Sequence, residues 1–289
     1  MLAESGSSHP CAAVHSDGES TQNELKVRTK GDPMRVSLLV ASALLFIAAA
    51  QGCHAQAPPA TPAYVIPPGT PANVRRAVEA PDRTDEQRAR DYHRKPAEIL
   101  TMSGIKEGDK IVEIASFGQY FTTMLSAAVG PSGHVEMLDL PYTGERAGAA
   151  SREFVAKHPN ATYRLENYNE TTLPQNLDSV WMVLYYHDLK PQGIDTAAFN
   201  RKIFNALKPG GIFLVIDHKA EDGSGWRDAG TIHRMGVDTI KQEVLAAGFE
   251  LKQESDLLAN PADDRTKMVF APGTRGTTDQ AFFIFRKPN

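Results

Sequence analysis

The chain has 289 residues, 41% of them hydrophobic and 23% charged, enough material for one sizeable core and unlike the composition of a disordered protein. Its formal net charge of -4 lacks the clustered cationic footprint that neutralises a phosphate backbone, so nucleic acid is not an expected partner. The two cysteines, Cys11 and Cys53, both precede the expected domain, which excludes a disulfide framework or a cysteine metal centre within it.

Residues 1–33 are polar and patternless and stand ahead of a second start codon candidate, Met34; they are set aside as untranslated or disordered. From Met34 a basic residue, Arg35, leads into the apolar block Val36 to Ala50 and then into small residues before Cys53, the layout of a secretory signal. The block is shorter than the ~20 residues of a comfortable membrane span. The stretch "AAQGC" resembles the lipobox of bacterial lipoproteins, in which the cysteine is acylated and becomes the mature N-terminus; plain secretion is the alternative. Segment 34–53 is therefore read as a signal peptide of lipoprotein type. The expected location is the periplasmic side of a bacterial membrane, with a lipid anchor at Cys53. Segment 54–81, dense in proline and alanine, reads as an extended tether.

A domain is expected over 82–289. "DRTDEQRARDYHRKPAEILTMSG" is charged and helical, with Pro96 marking a break between two helices. "GDKIVEIA" is a short apolar run after a turn, the start of a buried parallel strand, and "YFTTMLSAAVG" is a helix closed by Gly130. The alternation continues with strand "GHVEMLDL", helix "SREFVAKH", strand "ATYRLEN" and the strongly apolar strand "LDSVWMVLYYHDL". An amphipathic helix follows in "DTAAFNRKIFNAL", capped by Asp195 or Thr196. Strand "GGIFLVIDH", helix "VDTIKQEVLAAGF" and strands "ELKQESDLL" and "AFFIFRK" complete the chain. Strands separated by helices imply an α/β fold with a mostly parallel sheet covered on both faces.

The order strand, turn, helix, strand ending in Asp139, then "ALKPGGIFLVIDH" and a C-terminal strand, resembles the class I S-adenosylmethionine-dependent methyltransferases. Within that group the chain is similar to predicted methyltransferases of bacterial secreted proteins, through "RKPAEIL", "YYHDL", "LKPGG", "DH", "GSGWRD", "IHR" and "NPADDRT", over about Pro81 to Pro288. The resemblance implies a Rossmann-like, doubly wound, seven-stranded sheet with an antiparallel last strand. It also implies S-adenosylmethionine as cofactor.

In such folds the ligand lies beyond the carboxyl ends of the strands, and the first turn is glycine-rich because a side chain there obstructs the cofactor. Here the turn begins at Glu113 and places Ala115, Phe117 and Gln119 where glycines are expected, with Gly118 retained. Phe117 either blocks the pocket or forms a new wall of it. Asp139, at a strand end, is positioned to accept from both ribose hydroxyls, and Glu166 or Asn167 to reach adenine. His187 or His218 fits a general base by residue type, with Asp188 beside it, although support of the strand end by hydrogen bonds reads equally well. The His and Asp spacing, with His233 included, matches no compact helical ligand motif, so no metal is expected. Two glycine-rich loops, one carrying Trp226, Arg227 and Arg234 and the other Arg265, are candidates to cover the cleft and meet an anionic or aromatic substrate.

Two functions follow. The first is an S-adenosylmethionine-dependent methyltransferase acting on a small-molecule acceptor. The second is a noncatalytic binding lipoprotein with a degenerate methyltransferase fold.

Overall fold

Alternating apolar strands and amphipathic helices pack as the sequence pattern predicts. The computed structural model of the protein describes residues 62–289. The signal, the lipobox and Cys53 lie outside the described residues, as do residues 54–61 of the expected tether. Among the described residues, no helix is long and apolar enough to cross a membrane.

Seven strands form one sheet: β1 Lys110–Ile114, β2 His134–Asp139, β3 Ala161–Leu165, β4 Leu177–Val183, β5 Leu207–His218, β6 Glu250–Ser255 and β7 Gln280–Arg286, in the order β3-β2-β1-β4-β5-β7-β6. The first five run parallel, and β7 inserts antiparallel between β5 and β6. Chain order reverses between β1 and β4, which makes the carboxyl edge of these two strands the natural ligand crevice. Asp139, Asp217 and His218 all close strands on that edge.

The helices are α1 Ala72–Val78, α2 Asp85–Ala89, α3 Asp91–Arg94, α4 Pro96–Ser103, α5 Tyr120–Val129, α6 Gly148–Lys157, α7 Thr196–Ala206, α8 Ala229–Ile232 and α9 Val237–Ala246. The period of two in the strands divides their side chains between two cores. One core joins Val180, Met182, Phe213, Val215, Phe283 and Phe285 to Phe199 and Ile203 of α7 and to Ile240 and Val244 of α9. The other joins Trp181, Leu214, Ile216, Phe282 and Ile284 to α1, α4 and α5. Helices therefore cover both faces, as expected.

Local signals act where they should. Asp195 caps α7 by accepting from the Ala198 amide at 3.0 Å. Pro96 occupies the first turn of α4, where its missing N–H costs nothing. In "LKPGG" the close approach falls at Gly211: a Cβ there would meet the Lys208 and Leu177 carbonyl oxygens at 2.9 and 3.0 Å.

One boundary differs from the expectation. Residues 72–81, assigned to the tether by composition, contain α1, whose Val74, Ala77 and Val78 are buried in the second core. Proline content at the flanks obscured a short helix that is stabilised by packing on α5 rather than by its own propensity.

Candidate active site

The turn after β1 keeps the backbone of a glycine-rich loop without the glycines. Ala115 has φ +60° and Gln119 φ +49°, while Gly118 sits at φ +73°. For an L-residue each such conformation costs about 1–2 kcal/mol, so the shape of the turn is held by its surroundings. Gln87 Nε2, from α2, donates to the Gly118 and Gln119 carbonyls at 3.1 and 3.2 Å. Gln119 Nε2 donates to Ser151 Oγ of α6 at 3.0 Å.

Glu113 is buried on β1 and accepts from the Thr122 hydroxyl of α5. Burial pushes its carboxyl up to about 8, opposed by the Thr122 hydrogen bond and by Arg94. Two turns of the chain later, Asp139 ends β2 with no solvent exposure at all. Its Oδ1 accepts from the Ser116 amide at 2.7 Å and from the Ser116 hydroxyl at 3.1 Å. Its Oδ2 is buried without a hydrogen-bond partner among the described residues, and so is the Tyr163 hydroxyl. Burial raises the Asp139 carboxyl above the ordinary range; the Ser116 donors and the nearby Tyr163 hydroxyl act against it. An unpaired buried carboxylate oxygen costs roughly 1–3 kcal/mol or more, and a hydroxyl donor is what would remove that cost.

Phe117 is 42% exposed and meets Tyr185 edge to face, with ring centroids 5.5 Å apart. Tyr185, just beyond β4, faces the Tyr142 hydroxyl across 3.4 Å. Tyr142 lies in the 3-10 turn Pro141–Glu145 that follows β2. Phe117, Tyr142 and Tyr185 thus form an aromatic cover spanning from the end of β2 to the end of β4, above the turn after β1. Sequence reasoning missed Ser116, Tyr142 and Tyr185 as site residues; the paired tyrosines of "YYHDL" at a strand end were the available signal.

Asn167 stands apart. It is exposed, and its carboxamide oxygen accepts from the Asn169 amide at 2.9 Å in a local turn. Glu166 is held by Arg164 and Thr171.

A second polar cluster lies at the ends of β4 and β5. His187, in the 3-10 turn Tyr186–Asp188, is buried, and its Nδ1 lies 2.6 Å from Asp217 Oδ1. The other Asp217 oxygen accepts from the His187 amide at 2.7 Å. Burial works against the imidazolium of His187, but Asp217 and then Asp188 outweigh it and raise its pKa overall. Asp188 Oδ1 and His233 Nδ1 are 3.1 Å apart, and His233 Nδ1 is 3.3 Å from His187 Nε2. His233 ends α8 at φ +56°.

His218 behaves differently from its expected role. Burial drives its imidazole down to about 3, and its Nδ1 is engaged with the Thr278 hydroxyl at 2.7 Å. It is neutral near pH 7 and a poor proton acceptor. Tyr186 also faces away from the crevice, bonded to Asn200 of α7 and Glu243 of α9.

The loops differ from the expectation too. Arg234, expected to be free for substrate, is fully buried and grips Asp263 through Nη1 and Nη2 at 2.8 and 3.0 Å. Arg265 pairs with Asp279 and Asp222 instead of its neighbours Asp263 and Asp264. Trp226 is tied to Glu243 by its indole N–H at 2.8 Å. These side chains tie the two loops to each other and to α9; sequence alone shows charges but not which loop supplies the partner.

No family model matches the chain. It is 30% identical over 180 residues to the ubiquinone/menaquinone biosynthesis C-methyltransferase UbiE of Pasteurella multocida, which takes in 52% of this chain and 66% of that protein, just under two thirds of its length. Among solved structures, a putative sarcosine dimethylglycine methyltransferase from Galdieria sulphuraria superposes with a TM-score of 0.50 at 14% identity, covering 73% of this chain and 90% of that one. A SAM dependent methyltransferase from Aquifex aeolicus gives 0.49 at 16% identity, over 66% of this chain and 88% of that one. With its β3-β2-β1-β4-β5-β7-β6 sheet, its turn after β1 and a carboxylate at the end of β2, the chain has the fold of the class I S-adenosylmethionine-dependent methyltransferases.

Proposed function

We propose that the chain is an S-adenosylmethionine-dependent methyltransferase acting on a small-molecule acceptor. The observation that carries this reading is Asp139: a buried carboxylate, fixed to the first turn through one oxygen and left with an unpaired second oxygen. That oxygen suits a ribose hydroxyl, and the Tyr163 hydroxyl beside it is a further unpaired group for the same diol. The similarity to a named C-methyltransferase supports the same reading.

Bound S-adenosylmethionine supplies an electrophilic methyl on a sulfonium. The protein's own part is alignment, worth more here than any covalent catalyst. Asp139 and the Ser116 turn hold the ribose end. The Phe117, Tyr142 and Tyr185 cover excludes water once the ligand is seated. The acceptor end is the His187, Asp188 and His233 cluster, in which Asp217 sets the orientation of His187. Titration calorimetry of the purified chain with S-adenosylmethionine and its demethylated product tests this reading.

Export with an acyl anchor at Cys53 is proposed on the sequence alone, and fractionation of a Cys53→Ser variant checks it: the variant leaves the membrane fraction if the anchor is that thiol.

A further inference from the structure

Three ligand-type atoms converge at the carboxyl edge of the sheet. His187 Nε2 is 3.3 Å from His233 Nδ1 and 3.6 Å from Asp188 Oδ1, and the last two are 3.1 Å apart. Two sides of this triangle are within hydrogen-bond distance, but both use His233 Nδ1, so a single proton serves one of them at a time. A proton on His233 Nδ1 serves Asp188 Oδ1. The Nδ1 proton of His187 is committed to Asp217 at 2.6 Å, which leaves the Nε2 lone pair directed at the other two atoms. A proton on Nε2 would be offered to His233 Nδ1 at 3.3 Å and drawn toward Asp188 at 3.6 Å, but it would then compete with the proton that joins His233 to Asp188.

A cation satisfies all three atoms together. With bonds of about 2.0–2.2 Å, the donor atoms on one face of a tetrahedral or octahedral ion stand about 2.8–3.6 Å apart, and the observed edges of 3.1, 3.3 and 3.6 Å fall in that span. His187, Asp188 and His233 also form the cluster whose ligand atoms all lie within 4.8 Å of one another among the described residues. The contact between His187 and Asp217 is the second, independent feature: a buried carboxylate on the far ring nitrogen fixes the tautomer that presents Nε2 to a metal and strengthens it as a ligand.

We propose that His187 Nε2, Asp188 Oδ1 and His233 Nδ1 bind a divalent transition-metal ion, with Asp217 as the orienting partner of His187. Two imidazoles and one carboxylate suit zinc, iron(II) or manganese(II) better than magnesium or calcium, which prefer all-oxygen sites. The side chains of Asp188 and His233 are 18% and 28% exposed, so the ion keeps coordination positions open toward solvent for water or an oxygen-bearing ligand. The pattern eluded the spacing argument because two ligands are adjacent in a 3-10 turn and the third arrives from the end of a different helix. The site coincides with the acceptor end proposed above, but metal binding is measured without any cofactor, so the two readings fail separately.

The untagged full chain, stripped with a chelator, is titrated with cobalt(II) alone and followed by its visible absorption, then with zinc(II) in competition by calorimetry. One saturable site with a ligand-field band is expected. His233→Ala and Asp188→Ala should each weaken binding by about tenfold or more, and Asp217→Asn by about 10- to 100-fold, while His134→Ala, on the opposite edge of the sheet, leaves it unchanged. His233 is partly exposed, so its variant preserves the test if changes at buried His187 prevent folding; circular dichroism verifies the fold of each variant. A folded chain that shows no band and no heat with millimolar ion overturns the proposal. So does saturable binding that survives both His233→Ala and Asp188→Ala.

Discussion

The Ser116 amide donates to Asp139 Oδ1 at 2.7 Å, tying the turn after β1 to the end of β2 while leaving Asp139 Oδ2 unpaired. Both halves of the proposed ribose site are thus set by one carboxylate. Asp139→Ala should weaken S-adenosylmethionine binding by about 1.5–3 kcal/mol, the range for hydrogen bonds to a charged acceptor. An analogue lacking the ribose hydroxyls should lose a similar amount on the unaltered chain and little more on the variant. Equal losses on both would place the diol elsewhere.

Phe117 is half exposed against Tyr185, as a ring lining the proposed site would be. In that role Phe117→Gly should weaken cofactor binding by about 1–3 kcal/mol through lost aromatic contact and burial. A gain in affinity in the same titration would make the ring a plug instead.

Ala115 pays for a left-handed backbone at φ +60°. Removing its methyl relieves roughly 1–2 kcal/mol of strain against about 0.5–1 kcal/mol of added chain entropy in the unfolded state. Ala115→Gly should leave stability unchanged or raised by up to about 1.5 kcal/mol in urea unfolding. A loss well beyond that would show that the methyl, buried in the first core, is held by packing worth more than the strain.

Glu113 makes stability depend on pH in an unusual direction. Its folded-state carboxyl lies near 8 and its ordinary value near 4.5, because burial favours the protonated form. The unfolded chain releases this proton first as pH rises, so the contribution of Glu113 is most favourable below pH 4.5, declines between 4.5 and 8, and is flat above. Glu113→Gln should remove that decline, gaining on the order of 3–5 kcal/mol relative to the parent at pH 9 compared with pH 4. Parallel pH profiles for the two chains would show that the carboxyl is ionised and paired in the fold.

β4 and β5 were legible as continuous apolar runs because both of their faces are buried, and α7 because burial on one face writes a helical period into the sequence. α1 was not, since seven residues between prolines carry too little pattern, and its stability comes from α5. The turn after β1 was legible in place but not in shape: Ala115 and Gln119 reach left-handed dihedrals that residue type argues against, Ala115 bonded through its amide to the Leu138 carbonyl and Gln119 held by Gln87 and Ser151 from distant helices. Asp139 could be placed by its strand end. The convergence of His187 and His233 could not, since they lie 46 residues apart and meet only through tertiary packing.

The measurement that bears most directly on the account is calorimetric titration of the folded chain with S-adenosylmethionine and, separately, with S-adenosylhomocysteine, the product that remains after methyl transfer. The account predicts saturable binding of both at one site, lost or strongly reduced in Asp139→Ala. Absence of heat and of any thermal shift at millimolar ligand, with the chain shown to be folded, would contradict it.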